Sequence, residues 1–205
     1  MMSPRKPNPR TERGFRPRQV RGRTLRQNFL IVCEGERTEP NYFRAFPVAA
    51  DVQVHIYGAA DNTLNVVRKA LELRDKGDYN QVWCVFDRDS FPVPHVNAAF
   101  SLARREGIAV AFSNEAFELW YLLHFHYYNT GISRHAYIDI LHRLLGHPYE
   151  KGSTTIYQEL EARQATALRN AATLLAAYPN SRPVDDNPST TVHLLVQELN
   201  RFRRA

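Results

Sequence analysis

Two short apolar runs, each followed at once by an acid, constrain the fold of this chain more than any other feature. Residues 28–33 (NFLIVC) end before Glu34, and residues 81–86 (QVWCVF) end before Asp87. Short and nearly continuous apolar runs indicate strands that are buried on both faces of a sheet. An alternating segment at 52–57 and an apolar segment at 108–112 predict two further strands.

Helical patterns separate these strands. Helices are predicted to begin near Thr38 and Asn62, and to cover 95–106 and 115–125. Strands that alternate with helices are typical of an α/β fold with a mostly parallel sheet and helices on both faces.

The rest of the chain is predicted to be helical. The expected segments are a helix at 133–144, a stretch at 154–177 that is one helix or two, a linker at 179–188 and a last helix at 189–202. We therefore expect an α/β core at 29–130 and a helical extension at 131–205 that completes the same domain.

Positive charge is concentrated in an arm formed by residues 1–28. The arm holds nine Lys and Arg and one acid, whereas the other 177 residues carry 18 basic and 20 acidic side chains. With four prolines and almost no hydrophobic residues, the arm is predicted to be disordered. A basic arm suits phosphate backbones through counterion release, and a solvated tail without a ligand is the alternative.

The cysteines and the apolar runs bear on the cellular compartment. Cys33 and Cys84 both lie inside predicted strands, which favours buried thiols in a reducing environment over a disulfide scaffold. No apolar run is long enough to span a bilayer, and no secretory signal is visible. We expect a soluble, cytoplasmic protein with no membrane partner.

Acids at the ends of two buried strands suggest a metal site. Glu34 follows the first strand, and Asp87 and Asp89 follow the third. If these strands are neighbours, the acids meet at one edge of the sheet, where ligands bind in open α/β folds. Clustered carboxylates repel one another without a cation, and their oxygens suit Mg²⁺ or Mn²⁺. The alternative is that they are solvated loop residues or helix caps.

Other site chemistries have little support in the sequence. No His/Cys cluster has the spacing of zinc ligands, so zinc is not expected. No glycine-rich Walker loop occurs, and any ATPase activity would therefore belong to another chain.

Five ordered motifs resemble the RloB-like (abortive infection AbiLii-like) family. They are CEGERTEPNYF at 33–43, VFDRD at 85–89, SNEAFELW at 113–120, YEKGS at 149–153 and NPSTTVH at 187–193. The resemblance implies a Toprim-like fold and the role of a nuclease in a two-gene phage-defence system whose companion is a predicted ATPase. DNA or RNA would be the substrate.

The resemblance also implies roles for the acids. Glu34 matches the Toprim glutamate, and Asp87 and Asp89 match its Asp-X-Asp motif. The chain departs from the commonest Toprim pattern, because residues 90–92 (SFP) stand where a glycine usually follows the second aspartate. Glu36 and Glu39 are further acids in the first loop, and either one is a possible metal ligand.

Two residues of the later motifs are candidates for the same site. Glu118 lies among hydrophobic residues and needs a partner or a metal; a salt bridge is the alternative to a metal. Lys151 lies in a glycine- and serine-flanked loop and is a candidate for binding a substrate phosphate or stabilising transition-state charge. The alternative for Lys151 is an ordinary surface lysine.

Several polar residues are predicted to contact substrate. Ser113 and Asn114 follow the fourth strand, and they bind phosphate or cap a helix. The last helix is predicted to begin with a capping segment, and its N-terminus is a possible anion site. The candidates there are Ser189, Thr190 and His193. His124 and His126 are predicted to pack at a helix end, with a general base as the alternative.

Three functions remain open from the sequence. The first is a metal-dependent nuclease, and the second is a catalytically inactive nucleic-acid-binding or assembly subunit that regulates an ATPase. The third is another Toprim chemistry such as nucleotidyl transfer.

Overall fold

A computed structural model describes residues 27–88 and 92–204. Its sheet has five strands in the order β2-β1-β3-β4-β5. The first four strands are parallel and β5 is antiparallel to β4, so the predicted mostly parallel α/β sheet is confirmed. The strands are β1 (Gln27–Cys33), β2 (Val52–Gly58), β3 (Gln81–Asp87), β4 (Ala109–Asn114) and β5 (Ser189–Thr190).

Eight helices are assigned within the described residues. They are α1 (Thr38–Arg44), α2 (Thr63–Arg74), α3 (Val93–Arg105), α4 (Glu118–Leu122), α5 (Arg134–Leu145), α6 (Ile156–Glu161), α7 (Gln164–Ala176) and α8 (Val192–Asn200). Polar caps fix two of the starts, because the side chains of Asn62 and Ser133 accept hydrogen bonds from Asn65 N and Ala136 N. The stretch predicted at 154–177 is two helices, α6 and α7.

Helices cover both faces of the sheet, as predicted. Alternate residues of β1 point to opposite sides, so Leu30 and Val32 join a core with α2 and α3. Phe29 and Ile31 join the larger core on the other face. Residues from α5, α7 and α8 are buried in that larger core, so the C-terminal part of the chain packs directly against the sheet. The predicted C-terminal helical region is therefore confirmed.

Three strand or helix boundaries in the structure differ from the predicted ones because of tertiary contacts. The fourth strand extends past its predicted end at 112 to Asn114, because β5 pairs with it. The last helix was predicted to begin at 189, which is wrong because residues 189–190 form that strand instead. The helix predicted over 115–125 is shortened to α4.

The thiols agree with the expectation of buried cysteines. Cys33 and Cys84 are both free and buried, and they lie on opposite faces of the sheet. No helix within residues 27–88 and 92–204 is long and apolar enough to cross a membrane. Gln27 and Asn28, the last residues of the predicted arm, belong to β1, and residues 1–26 lie outside the described part.

Candidate active site

A cleft of about 750 Å³ opens at the carboxyl ends of β1 and β3. Of the residues that the structure describes, six acidic and three basic side chains contribute to its lining. The acids are Glu34, Glu36, Glu39, Asp61, Asp87 and Glu118, and the cations are Arg37, Arg134 and Lys151. The cleft therefore collects acids from the α/β core, together with cations that the C-terminal extension mostly supplies.

Glu34 is held between two neighbouring elements. Its Oε2 accepts a hydrogen bond from the backbone N–H of Asp87 at 3.0 Å, and its Oε1 accepts one from the Thr63 hydroxyl at 3.1 Å. Thr63 is the first residue of α2. The carboxylate is fixed because β1 pairs with β3 in parallel, which brings the two strand ends together.

Asp87, the last residue of β3, has one satisfied and one unsatisfied oxygen. Its Oδ2 accepts a hydrogen bond from Phe117 N at 3.0 Å and lies 3.7 Å from an Arg134 guanidinium nitrogen. Its Oδ1 is buried and has no hydrogen-bond partner among the described residues. A buried carboxylate oxygen without a partner costs free energy that a bound cation or water would offset.

Neighbouring negative charges add to the free-energy cost of the ionised Asp87 carboxylate. Burial raises the pKa of Asp87 well above its ordinary value, and the charges of Glu39, Glu118 and Glu34 raise it further. The charge of Arg134 acts in the opposite direction. The acids are therefore close enough to repel one another, and a divalent cation among them would relieve that repulsion. Asp89, the predicted third acid, lies outside the described residues.

Glu118 and Glu39 form the buried side of the cluster. Glu118 is 2% exposed, and its Oε1 accepts a hydrogen bond from the Tyr149 hydroxyl at 3.2 Å. Lys151 Nζ lies 4.0 Å from the same oxygen. Burial and the charge of Glu118 raise the pKa of Glu39. Of the two first-loop acids, Glu39 is buried within the cluster, whereas Glu36 is exposed.

The donor set fits a hard cation better than a soft one. The cluster offers carboxylate oxygens, and in the described part of the chain one of them is buried without a partner and no cysteine or histidine lines the cleft. Among residues 27–88 and 92–204, no three potential ligands already stand close enough to enclose a metal ion. Mg²⁺ is compatible with such an open arrangement, because it retains several waters and needs few protein ligands.

The other predicted substrate-binding residues do not line the cleft. Ser113 and Thr190 are buried opposite each other in the β4–β5 pair, with their hydroxyls 3.1 Å apart. Asn114 donates to the backbone carbonyls of Pro183 and Val184, and Ser189 is buried beside it in the same pair. These residues attach the C-terminal segment to the sheet, so their positions give no support for contact with a substrate.

The three histidines considered from the sequence, His124, His126 and His193, also lie outside the cleft lining. His193 is buried in α8 and outside the cleft. His124 Nδ1 lies 2.9 Å from the carbonyl oxygen of Trp120, and burial lowers its pKa to about 4. This placement agrees with the predicted helix-end packing for His124, whereas His126 is exposed.

The cleft residue Arg134 and two residues that contact the cleft acids, Tyr149 and Thr63, were not assigned from the sequence. Arg134 begins α5 and pairs with Asp87, and Tyr149 orients Glu118. The sequence signal for Tyr149 is the motif at 149–153, which also contains Lys151. Arg134 and Thr63 carry no local signal, because only the tertiary fold brings their helices to the end of β3.

Comparison with known proteins gives one match. The model of the family described as RloB-like protein matches residues 29–199, which include all strands and helices except the last residue of α8 and the first two of β1. No curated protein and no solved structure matches the chain. The family match covers most of the sequence, and the chain therefore belongs to the RloB-like family.

Proposed function

We propose that this chain is a Toprim-type nuclease that uses Mg²⁺ or Mn²⁺ to hydrolyse phosphodiester bonds in DNA or RNA. The observation that carries the proposal is the buried Oδ1 of Asp87, which has no hydrogen-bond partner within residues 27–88 and 92–204 and lies in a cleft shared with Glu34, Glu39 and Glu118. Such a cluster is costly unless a cation binds, so its presence favours a metal-binding role.

The residues of the cleft divide into metal-binding and positioning groups. Asp87, Glu34 and Glu118 would hold the cation together with bound waters, because no three potential ligands within residues 27–88 and 92–204 stand close enough to enclose it. Asp89 is a further predicted ligand. When bound, such a metal polarises a phosphoryl oxygen and activates water.

Three contacts organise the site for this role. Thr63 and the Asp87 N–H orient the Glu34 carboxylate through hydrogen bonds. The Arg134 guanidinium forms an ion pair with the Asp87 carboxylate. Lys151 is half exposed at the rim, where its ammonium suits the charge of a substrate phosphate.

The wider role is proposed from the resemblance to the RloB-like family rather than from the cleft. We infer that the chain is the effector of a two-gene phage-defence system, acts in the cytoplasm and is controlled by a separate ATPase. A nuclease that damages its own cell when active has to be kept inactive until it is needed, and a partner protein would provide that control.

One observation favours a second candidate, an inactive nucleic-acid-binding or assembly subunit. Glu34 and Asp87 each accept a hydrogen bond at the start of a helical segment, from Thr63 and from Phe117 N. A purely structural role would use the same contacts. It would not require the buried and unpaired Asp87 Oδ1, which is why we prefer the nuclease.

A cleavage assay tests the proposal. The full chain, with and without its ATPase partner, is incubated with plasmid, single-stranded DNA and total tRNA in Mg²⁺, Mn²⁺ or EDTA. We expect EDTA-sensitive cleavage of at least one substrate, abolished in Asp87→Ala. Asp139→Asn, an exposed acid on α5 outside the cleft, is the matched control and should retain activity. An absence of cleavage even with the ATPase present would favour the inactive subunit.

A further inference from the structure

Arg37 differs from the other two cations of the cleft. Lys151 lies 4.0 Å from Glu118 and Arg134 lies 3.7 Å from Asp87, so both have a carboxylate nearby. Arg37 is exposed, and within the described residues its guanidinium makes no ion pair. A guanidinium that is free at the rim of a cleft can bind an incoming anion without first breaking a salt bridge.

Gly152 brings Arg37 next to the segment that carries Lys151. A Cβ added to Gly152 would lie 2.7 Å from Arg37 Cβ and 3.2 Å from Arg37 Cδ, so the arginine stem packs directly on the glycine backbone. Gly152 has a φ of +79°, a conformation that also favours glycine. Lys151 immediately precedes it, and both cations line the cleft.

The loop that carries Lys151 is fixed at two points. The side chain of Asn41 donates to the Gly152 carbonyl at 2.7 Å, which attaches the loop to α1. The Tyr149 hydroxyl donates to Glu118 at 3.2 Å, which attaches it to the acids. Arg37 and Lys151 are therefore pre-positioned by contacts with the same short loop, although they are far apart in sequence. Pre-positioned donors lose less entropy when they bind a ligand.

We propose that Arg37 and Lys151 form a phosphate-binding pair that holds the nucleic-acid backbone at the rim of the cleft. This proposal rests on the proposed nuclease function and adds a substrate-binding residue, Arg37, to it. The pair would counter the repulsion between the acidic lining and a polyanionic substrate, and Gly152 would set the position of Arg37.

Two substitutions test the pair in different ways. Arg37→Gln removes the charge, whereas Gly152→Ala keeps every charge and displaces Arg37 through the added Cβ. Each has a matched control. Arg44→Gln removes an exposed cation outside the cleft, at the end of α1, the helix that Arg37 precedes. Gly146→Ala has a similar φ of +78° but nothing within 4 Å of the added Cβ.

Binding is measured by fluorescence anisotropy, with a labelled single-stranded DNA and an RNA of the same sequence as probes. All variants are full-length and carry Asp87→Asn to prevent cleavage, and residues 1–26 are common to all of them. We expect Arg37→Gln and Gly152→Ala each to raise Kd about tenfold and to reduce the slope of log K against log salt by about one. The controls should stay within about twofold. Thermal unfolding identifies any variant that fails to fold.

The outcomes separate the two proposals, because anisotropy does not require cleavage. If Arg37→Gln binds like Arg44→Gln, or Gly152→Ala binds like Gly146→Ala, the phosphate-binding pair is wrong. Failure of the Asp87→Asn protein to bind either probe would also overturn it. If the pair is supported but the wild-type chain cleaves nothing with its ATPase present, the nuclease proposal fails alone.

Discussion

The carboxylate of Glu34 accepts a hydrogen bond from the backbone N–H of Asp87, with 3.0 Å between Oε2 and N. This contact joins residues that are 53 positions apart at the ends of two adjacent parallel strands. It orients Glu34 by the backbone rather than by a mobile side chain. The first acid of the cleft is therefore in place before any ligand arrives.

Asp87→Asn is expected to stabilise the metal-free protein. The pKa of Asp87 is raised in the folded state, so its contribution to stability is present at low pH and is lost as pH rises from its ordinary pKa of 3.8 through the folded pKa. At pH 7 the neutral amide removes this repulsion, and each kcal/mol relieved raises Tm by about 2–4 °C.

Thermal unfolding in EDTA and in Mg²⁺ measures the effect. Mg²⁺ should raise the Tm of the wild-type protein and have little effect on Asp87→Asn. Equal shifts in both proteins would contradict a metal bound at Asp87. Asp139→Asn controls for the loss of an exposed acid.

Thr63→Val tests the orientation of Glu34. The substitution keeps the shape of the side chain but removes the hydroxyl that donates to Glu34 Oε1 at 3.1 Å. We expect a loss of about 1 kcal/mol in unfolding free energy and about a tenfold fall in kcat with little change in KM. Thr173→Val, which removes an exposed hydroxyl of α7 that donates to the Arg169 carbonyl, should leave kcat unchanged. A wild-type kcat in Thr63→Val would show that Glu34 needs no such support.

Gly58→Ala should disturb the first loop of the cleft. An added Cβ would lie 2.7 Å from Glu36 Cα and 2.8 Å from the Gly35 carbonyl oxygen, and this backbone must shift to accommodate it. We expect a loss of about 1–3 kcal/mol in urea unfolding together with a marked loss of cleavage.

Gly107→Ala provides the comparison for Gly58→Ala. Its φ of +68° makes a side chain unfavourable, but nothing lies within 4 Å of the added Cβ. Gly107→Ala should therefore lower stability by about 1 kcal/mol and leave cleavage intact. Normal cleavage in Gly58→Ala would mean that the loop position does not matter for activity.

His124 should make the folded protein sensitive to mild acid. Burial lowers its pKa to about 4, below the ordinary value of 6.5, so its contribution is present above pH 6.5 and is lost as pH falls toward 4. The unfolding free energy should fall by up to about 1.4 kcal/mol per pH unit in this range.

His124→Gln should remove much of that dependence, as measured by urea unfolding between pH 7 and 4.5. His126→Gln, an exposed neighbour, should keep it. Identical pH profiles for the wild-type protein and His124→Gln would contradict the lowered pKa.

The parallel core and its acids were accessible from sequence because both depend on local patterns. The runs before Glu34 and Asp87 are apolar because β1 and β3 are buried on both faces, and strand polarity then places both acids at one edge. The same reasoning extended to Glu118, since a carboxylate among hydrophobic residues needs a partner.

What the sequence did not reveal depends on contacts between distant segments. The two-residue strand β5 exists only because Ser189 and Thr190 pair with β4, so its polar residues were interpreted as a helix start. Neither Arg134 nor Arg37 was assigned to the site from the sequence. Their positions in the cleft follow from how α5 and the Gly152 loop pack.

The division of the cleft between the two halves of the chain has a consequence for biosynthesis. A ribosome that has translated only the first 130 residues has made Glu34, Asp87 and Glu118, but not Arg134, Tyr149 or Lys151. Such a nascent polypeptide also lacks β5 and the helices that complete the larger core. The cleft is thus completed only after the segments that carry Arg134, Tyr149 and Lys151 have been translated and have packed against the sheet made earlier.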